Sequence, residues 1–311
     1  MSLRKVDVGK RRATGYICVN GKYKLVTRAI PSVIHNRTLV FKKKYTGRLK
    51  RLGVKSHVFN ARNRYGKVQI DRLLRRNPTF WGNLPMTRTF GKKQLSEMMN
   101  QYGNLYIKPQ SGSVGRGIFR LKKLASGLWS VRKAKSTVIL PNQKVYLKLR
   151  TWMKGRPYLI QKGIELATHN GRPYDLRVSV QKGANGLWRV TGMVGKVARK
   201  GSYVTNIARG GKVIRCETLF ANSRLPVGIT KLRVRNLSLR ISAYLASKLR
   251  RLSDVGLDIG VDRYGKPYFI EMNGRDQRYA FHRGGLKTVF FETYANPIRY
   301  GIFLAKRRTV K

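Results

Sequence analysis

The 311-residue sequence predicts an α+β protein, and three observations carry that reading. The stretch "NLSLRISAYLASKLRRLSD" (236–254) places Leu237, Ile241, Tyr244, Leu245, Leu249 and Leu252 on one helical stripe, with Asn236 as the expected N-cap. The stretch "GLDIGVDRYGKPYFIEMN" (256–273) alternates as two strands of a hairpin. Hydrophobic residues make up 41% of the chain, enough to bury a core in two or three lobes around a shared site.

The elements follow in order. "GYICVNGKYKLV" reads as a hairpin turning at Asn20-Gly21. "LVFKKKYTGRLKRLGV" is too charged to assign. "NPTFWGNLPM" (77–86), with two prolines, reads as a linker. "TRTFGKKQLSEMMNQYG" reads as a helix with Phe90, Leu95, Met98, Met99 and Tyr102 largely on one face and Gly103 just past its end. Strands follow at "NLYIKP", "IFRLKK" and "LWSVRKA", then a helix over "NQKVYLKLRTWMKG" ending at Gly155. "PYLIQKGIEL" and "YDLRVSVQKG" read as strands, and "KRRTVK" as a frayed basic tail. The expected organisation is a basic, β-rich region over 1–83 and two lobes over 84–163 and 164–311.

The chain carries 68 Lys and Arg against 12 Asp and Glu, a net charge of +56. Such a field suits a polyanionic partner, whether an acidic protein or peptide or, nonspecifically, nucleic acid; solubility alone is the competing account. Trp81, Trp129, Trp152 and Trp188 would offer stacking surfaces to nucleic acid, although tryptophans in a chain this size are more often core. Two cysteines, Cys18 and Cys216, and four histidines form no zinc or disulfide pattern and fit a reducing compartment. The N-terminus has no apolar signal core and no window reaches the roughly 18 apolar residues of a membrane span, so the cytoplasm is the expected location.

In so basic a chain the placed acids are informative. With the 256–273 hairpin turning at Tyr264-Gly265 through a two- or four-residue loop, Asp258 lies opposite Glu271, and Asn273 projects from the same face. Leu257, Ile259, Val261, Tyr268, Ile270 and Met272 take the core face. Opposed carboxylates repel unless something positive lies between them. Either a nearby Arg or Lys fills that role, or a divalent ion does. Asp, Glu and Asn offer hard oxygen donors suited to Mg²⁺ or Mn²⁺.

Mg²⁺ usually shares its shell with substrate phosphates, which asks for a phosphate binder elsewhere. "YIKPQSGSVGRGI" (106–118) offers a strand lysine, Lys108, followed by a loop with Ser111, Gly112, Ser113, Gly115 and Gly117. Backbone N–H groups in such a loop can approach phosphate oxygens closely, though glycine loops are often only hairpin turns. "YDLRVSVQ" sets Asp175 and Arg177 on one strand face, either as a surface ion pair or as catalytic residues, Arg177 holding a transferring phosphoryl group.

In this order and spacing the motifs resemble the ATP-grasp superfamily. "YIKPQSGSVGRGI", "LIQKGIELATHNGRPYDLRVSVQK" and "GLDIGVDRYGKPYFIEMNGRDQR" resemble more closely the YheC/YheD family of endospore coat-associated ATP-grasp proteins, over about residues 84–285. The resemblance implies two α+β lobes clasping ATP: a lid lobe carrying the Gly-rich loop and a C-terminal lobe carrying the metal hairpin, behind a degenerate pre-ATP-grasp region. It implies that Lys108 contacts the α/β-phosphates and that loop 111–117 closes over the triphosphate. Gln161, Lys162 and Ile164 would form the hinge beside adenine, Glu165 would reach the ribose, and Arg88 would be a second phosphate contact. Asp258, Glu271 and Asn273 would hold Mg²⁺ or Mn²⁺. The implied activity is ATP-dependent carboxylate–amine ligation through an acylphosphate. A coat or assembly protein with an ATP-binding scaffold and little catalysis is the alternative, and a basic nucleic-acid-binding protein the third. By resemblance the protein belongs to the mother-cell cytoplasm and the spore coat, with acidic coat proteins as candidate partners. Asn273 is followed by "GRDQRYAF" where glutamate and alanine ligases tend to carry a Ser/Thr-Pro-Gly turn, so no acceptor substrate is carried over.

Overall fold

A computed structural model of the protein describes residues 1–40, 42–110, 117–134, 136–205, 207 and 210–309. Three antiparallel sheets and one parallel strand pair organise them.

In the N-terminal region, β1 (Val6–Asp7), β2 (Arg12–Val19) and β3 (Lys22–Ala29) form a three-stranded sheet. The β2–β3 turn places Asn20 at φ 50° and Gly21 at φ 75°. Two left-handed residues are what a two-residue hairpin turn matched to the strand twist needs, and Asn-Gly supplies them, as the sequence predicts. Next, β4 (Val33–His35) pairs in parallel with β5 (His57–Phe59) across helix α1 (Lys43–Lys55). That helix is the charged stretch left unassigned. Only Leu49 and Leu52 are buried on it, too narrow an apolar stripe to stand out among lysines and arginines.

Helix α2 (Lys67–Arg75) and a 3₁₀ turn over Pro78–Asn83 follow. The expected linker is therefore ordered: Asn77 caps the turn, its side chain accepting from the Thr79 N–H, and Phe80 is buried against Tyr244. Then come β6 (Thr87–Thr89), α3 (Lys92–Gln101), β7 (Asn104–Pro109), β8 (Phe119–Lys123), β9 (Trp129–Lys133), β10 (Ser136–Leu140), α4 (Asn142–Met153) and β11 (Tyr158–Lys162). The six strands order as β10-β9-β8-β7-β11-β6. Leu95, Met98 and Met99 of α3 and Val145, Leu149 and Met153 of α4 pack on Leu105, Ile107, Leu121, Val131 and Ile160 of this sheet. Helix α4 ends through left-handed Lys154 and Gly155, as expected. Helix α3 does not end through a glycine. It stops at extended Tyr102, whose N–H bonds the Met98 carbonyl, and Gly103 is not left-handed.

The third sheet is built from β12 (Thr168–His169), β13 (Arg172–Lys182), β14 (Trp188–Val197), β15 (Lys212–Ile214), β16 (Asp254–Val261) and β17 (Pro267–Asn273). Its order is β15-β14-β13-β16-β17, with β12 beside β13. Helices α5 (Cys216–Asn222), α6 (Val227–Lys248), α7 (Tyr279–Arg283) and α8 (Lys287–Thr309) cover it. Helix α6 begins at Val227, so Asn236 is an exposed interior residue and not an N-cap. The stripe continues N-terminally through Thr230 and Val234, both fully buried. Residues 306–309 belong to α8 and are not a free tail.

The β16–β17 hairpin keeps the expected register only at its far end, where Gly256, Leu257 and Asp258 face Asn273, Met272 and Glu271. It then shifts by one, pairing Ile259 with Phe269 and Val261 with Pro267. The turn is a three-residue loop, Arg263-Tyr264-Gly265, with Gly265 at φ 77°. Asp262 sets it: its carboxylate accepts from the N–H groups of Tyr264 and Lys266, each at 2.9 Å. The compensating bulge at Ile270 puts Phe269 in the core and leaves Tyr268 and Ile270 half-buried.

Asn60 joins the N-terminal region to this sheet. It is 1% exposed, with φ 52°. Its side chain donates to the carbonyls of Asp254 and Gly274 (3.0 Å for the latter) and accepts from the N–H groups of Ser253 (2.9 Å) and Asp254 (3.1 Å). Asn60→Gly keeps the left-handed backbone accessible and removes all four bonds, so urea unfolding should show a loss of about 2–4 kcal/mol. A loss below about 0.5 kcal/mol would mean that water replaces these bonds.

Candidate active site

A cavity of about 170 Å³ lies where the six-stranded sheet meets the third sheet, roofed by α2. Lys108 on β7 and Gln161 on β11 face into it from one side, and Asp175, Lys196, Asp258 and Glu271 from the other. It adjoins a groove of about 1070 Å³ with which it shares Leu84, Pro85, Thr87, Lys162 and Ile164.

The floor is a buried charge cluster. Arg177 spans the Asp258 carboxylate, with Nε at 2.8 Å from Oδ1 and Nη2 at 3.3 Å from Oδ2. Lys196 Nζ lies 2.9 Å from the same Oδ1 and 3.0 Å from Asp175 Oδ1. Asp276 accepts from Arg177 Nη1 at 3.2 Å and from the Ser179 hydroxyl, while Asp175 accepts from the Thr205 hydroxyl. The register makes this possible: Asp258 faces Arg177 across β13–β16, and Asp175 faces Lys196 across β13–β14. Gly256 makes room for Asp276, since a Cβ there would lie 2.3 Å from Asp276 Oδ1.

Burial alone would push the Asp258 carboxyl up, but the charges of Arg177 and then Lys196 hold it well below the usual carboxylate range. Arg177 and Lys196, which burial would lower, are raised instead by Asp258 and Asp276 and by Asp175 and Asp258 respectively. Asp175 is pushed up by burial, which Lys196 only partly offsets. Both opposed carboxylates have cations beside them: Lys196 and Arg177 sit on Asp258, and Lys67 lies 3.6 Å from Glu271.

The metal reading is tested by the donor set. Glu271 keeps a third of its side-chain surface open beside Asp258. Asn273 lies beside it too, with Nδ2 at 3.5 Å from Asp258 Oδ2. All three offer oxygen donors of the kind Mg²⁺ takes, and turning the Asn273 amide would present its oxygen. Among the described residues no three His, Cys, Asp or Glu side chains form a metal cluster, so an ion here would rest on two carboxylates and an amide, with Lys196 displaced.

On the opposite wall Lys108 donates to Gln161 Oε1, and Gln161 Nε2 donates to Thr87 Oγ1 at 3.0 Å. Burial, with help from the nearby Lys67 charge, pushes the Lys108 ammonium down to about 8. Ser111, Gly112, Ser113 and Gly115 lie outside the described residues. Gly117 is described: its φ is +74°, and a Cβ there would lie 3.0 Å from the Tyr158 hydroxyl, so the loop re-enters β8 through a position only glycine fits well.

Of the expected residues, Arg177 and Asn273 touch Asp258 without themselves lining the cavity, and two more lie further off. Arg88 is exposed on β6 and lines the groove, not the cavity, because alternation on that short strand turns it away while Thr87 points in. Glu165 is also exposed in the groove; Lys162 and Ile164 border both spaces. Lys196, Asp276, Lys67 and Thr205 escaped the sequence reading. Lys196 alone left a signal, as the one charge in the run "VTGMVGKVA" (190–198).

Lysine-selective NMR should find one ammonium titrating near 8, absent in Lys108→Met. If every lysine titrates above about 10, the cavity wall is not desolvated.

A sequence model of the YheC/D-like ATP-grasp family matches residues 55–304. The chain is 27% identical over 250 residues to the endospore coat-associated protein YheD of Bacillus subtilis (strain 168), a match covering 78% of this chain and 55% of that protein. To the endospore coat-associated protein YheC of the same organism it is 23% identical over 198 residues, covering 61% and 54%. The chain thus spans about half the length of the curated relatives it matches. Among solved structures, the ATP-grasp ligase PsnB complexed with minimal precursor superposes with a TM-score of 0.53 at 14% identity, covering 87% of this chain and 81% of that one. The same ligase complexed with minimal precursor, Mg and ADP gives 0.51 at 13% identity, covering 91% and 86%. At these identities the likeness is one of fold: α+β, ATP-grasp.

Proposed function

The chain belongs to the YheC/D-like ATP-grasp family, and from that premise we propose that it binds ATP with Mg²⁺ between lobes running over 84–163 and 164–311 and joins a carboxylate to an amine. The observation that carries this reading is the convergence of a buried, easily deprotonated lysine, Lys108, with an acid pair, Asp258 and Glu271, on opposite walls of one cavity.

In this reading the carboxylate substrate attacks the γ-phosphorus and ADP departs. An amine then attacks the acyl carbon of the acylphosphate, phosphate leaves, and the amine loses its proton to water. The protein contributes positioning and charge, not a covalent nucleophile. Lys108 holds phosphate oxygens and stays protonated while it does so. Arg177, fixed by Asp258 and Asp276, presents a positive charge that needs no reorganisation. Lys196 exchanges Asp175 and Asp258 for phosphate oxygens, which opens one side of Asp258 Oδ1 while Arg177 stays on the carboxylate. Asp258, Glu271 and Asn273 would hold the metal ion, which when bound neutralises phosphate charge.

The second reading, a coat or assembly protein on an ATP-grasp scaffold with little turnover, is favoured by one feature: Asp258 is electrically satisfied by Arg177 and Lys196 without any ion. The names of the relatives bring spore-coat association into either reading. ADP release with Mg²⁺, with and without glutamate or an acidic peptide, separates the two.

Mg·ATP at a hundredfold above its dissociation constant should stabilise the wild type by about 2.7 kcal/mol. Glu271→Gln should lose the metal-dependent part and Lys108→Ala most of the ATP affinity. An unchanged wild-type melting temperature would end the proposal. Lys196→Met leaves Asp175 and Asp258 short of one cation. Electron paramagnetic resonance should then detect Mn²⁺ bound without nucleotide at least about tenfold more tightly than in wild type. Equal Mn²⁺ affinity in the two proteins would show that Lys196 does not guard the acid pair.

A further inference from the structure

Residues 1–54 precede the family match and carry a surface that the cleft does not use. They hold 15 Lys and Arg against one acid, Asp7. The sheet β1-β2-β3 buries Val6 and Ala13 against Leu49 and Leu52 of α1, so one of its faces is covered. The register sets Tyr16 opposite Leu25 and Cys18 opposite Tyr23, with Thr14 opposite Thr27. These six side chains therefore share the other face. Tyr16 is 69% exposed and Tyr23 76%, and among the described residues neither ring meets another ring or a cation.

The two tyrosines are diagonal neighbours, roughly 7–8 Å apart, which leaves room for one flat ligand group on each ring. Arg12 shares their face, its guanidinium donating to the Thr27 carbonyl at 3.2 Å, and Lys10 stands exposed at the β1–β2 turn beside it; Lys22, Lys24 and Arg28 are exposed too but alternate to the opposite side of β3. The occupant follows from the chemistry of rings and charges. A second copy of a chain with net charge +56 is repelled. A carboxylate peptide suits the cations but not the tyrosine faces, whose π-clouds are negative. A nucleobase stacks on such a face while its phosphates reach the surrounding cations. A duplex hides its base faces; a single strand does not. Of the four tryptophans, Trp129 is buried and Trp152 and Trp188 are half-buried in the cores; Trp81 is exposed, but it stands on the turn over Pro78–Asn83, away from this face, with its indole N–H donating to the Arg75 carbonyl.

We propose that the open face of the N-terminal sheet binds single-stranded nucleic acid, with Tyr16 and Tyr23 each stacking on a base and Arg12 and Lys10 holding the phosphates within the wider positive field of residues 1–54. This is independent of the nucleotide cleft and of whether the cleft turns over.

The test is fluorescence anisotropy of a labelled oligothymidylate of about twelve nucleotides with the full chain, at about 50 and 200 mM salt. Binding should weaken steeply with salt. Tyr16→Ala with Tyr23→Ala should lose at least about 25-fold, or fivefold per ring, with an unchanged salt slope and melting temperature. Replacing both by Phe should restore affinity to within about twofold, because the ring and not the hydroxyl stacks. Lys10→Glu with Arg12→Glu should reduce the salt slope. The proposal is overturned if the oligonucleotide does not bind at the lower salt, if the alanine pair binds like wild type, if a duplex of equal length binds more tightly, or if poly-glutamate affinity falls with the same tyrosines.

Discussion

The third sheet is organised around one buried charge. Asp258 sits in the middle of β16, and a lone carboxylate there would be costly to desolvate. Neighbouring strands supply the remedy: Arg177 from β13 and Lys196 from the next strand out, both within hydrogen-bond reach. Each remedy raises a further demand. Arg177 has hydrogen-bonding capacity beyond Asp258, and Asp276 takes it up from beneath, which requires Gly256 to lack a side chain. Lys196 spans Asp175 as well, and Asp175 needs Thr205. Removing one member of such a set leaves a buried charge unpaired, a loss of about 3–5 kcal/mol, so the members hold one another in place.

A parallel arrangement locks the N-terminal region on. Asp254, four residues before Asp258 on β16, accepts from Arg278, Gln181 and Arg37 (3.1 Å for Arg37), with His35 Nε2 at 3.2 Å. Burial would raise this carboxyl; the hydrogen bond from His35 and the charges of Arg278 and Arg37 bring it to about 2. Asp175, Asp254, Asp258, Glu271 and Asp276 are five of the twelve acids in the whole chain. A composition so poor in acids therefore places several of them on this sheet, where each pairs with at least one cation, and the exterior is left overwhelmingly basic.

What could be read in the sequence divides along the range of the interactions. The Asn20-Gly21 turn, helix α4 with its Gly155 end, and the facing of Asp258 and Glu271 depend on neighbours a few residues away, and local pattern exposes them. Helix α1 is hard to see in the sequence because its buried face is only Leu49 and Leu52, and the pattern places the start of α6 too late because buried Thr230 does not look apolar. The length of the hairpin loop is not legible because Asp262 folds its carboxylate over the backbone, which no periodicity records. In the cavity, residues on the quoted motifs were nameable, whereas Lys196, Asp276 and Lys67 arrive through sheet order and an overlying helix. Arg88 shows the converse: its motif position was suggestive, but strand alternation turns it outward.

Lys196 gives the cleft its most consequential property. Bare acids facing one another would open the sheet. Here a lysine with one flexible stem bridges Asp175 and Asp258, so the cluster of Asp175, Asp258, Glu271 and Asp276 is matched by Lys67, Lys108, Arg177 and Lys196. Arg177 cannot leave without breaking contacts on both of its flanks, whereas Lys196, in the proposed function, would exchange carboxylate oxygens for phosphate oxygens, both partners being anionic. In the proposed function such an exchange would couple two events: entering phosphate would draw the lysine off, and the vacated carboxylate oxygen would then be open to a cation. A compact ammonium on a rotatable stem suits that role better than a planar guanidinium would. The division of labour between the two cations, one fixed and one exchangeable, follows from their side-chain chemistry and from the strands that present them.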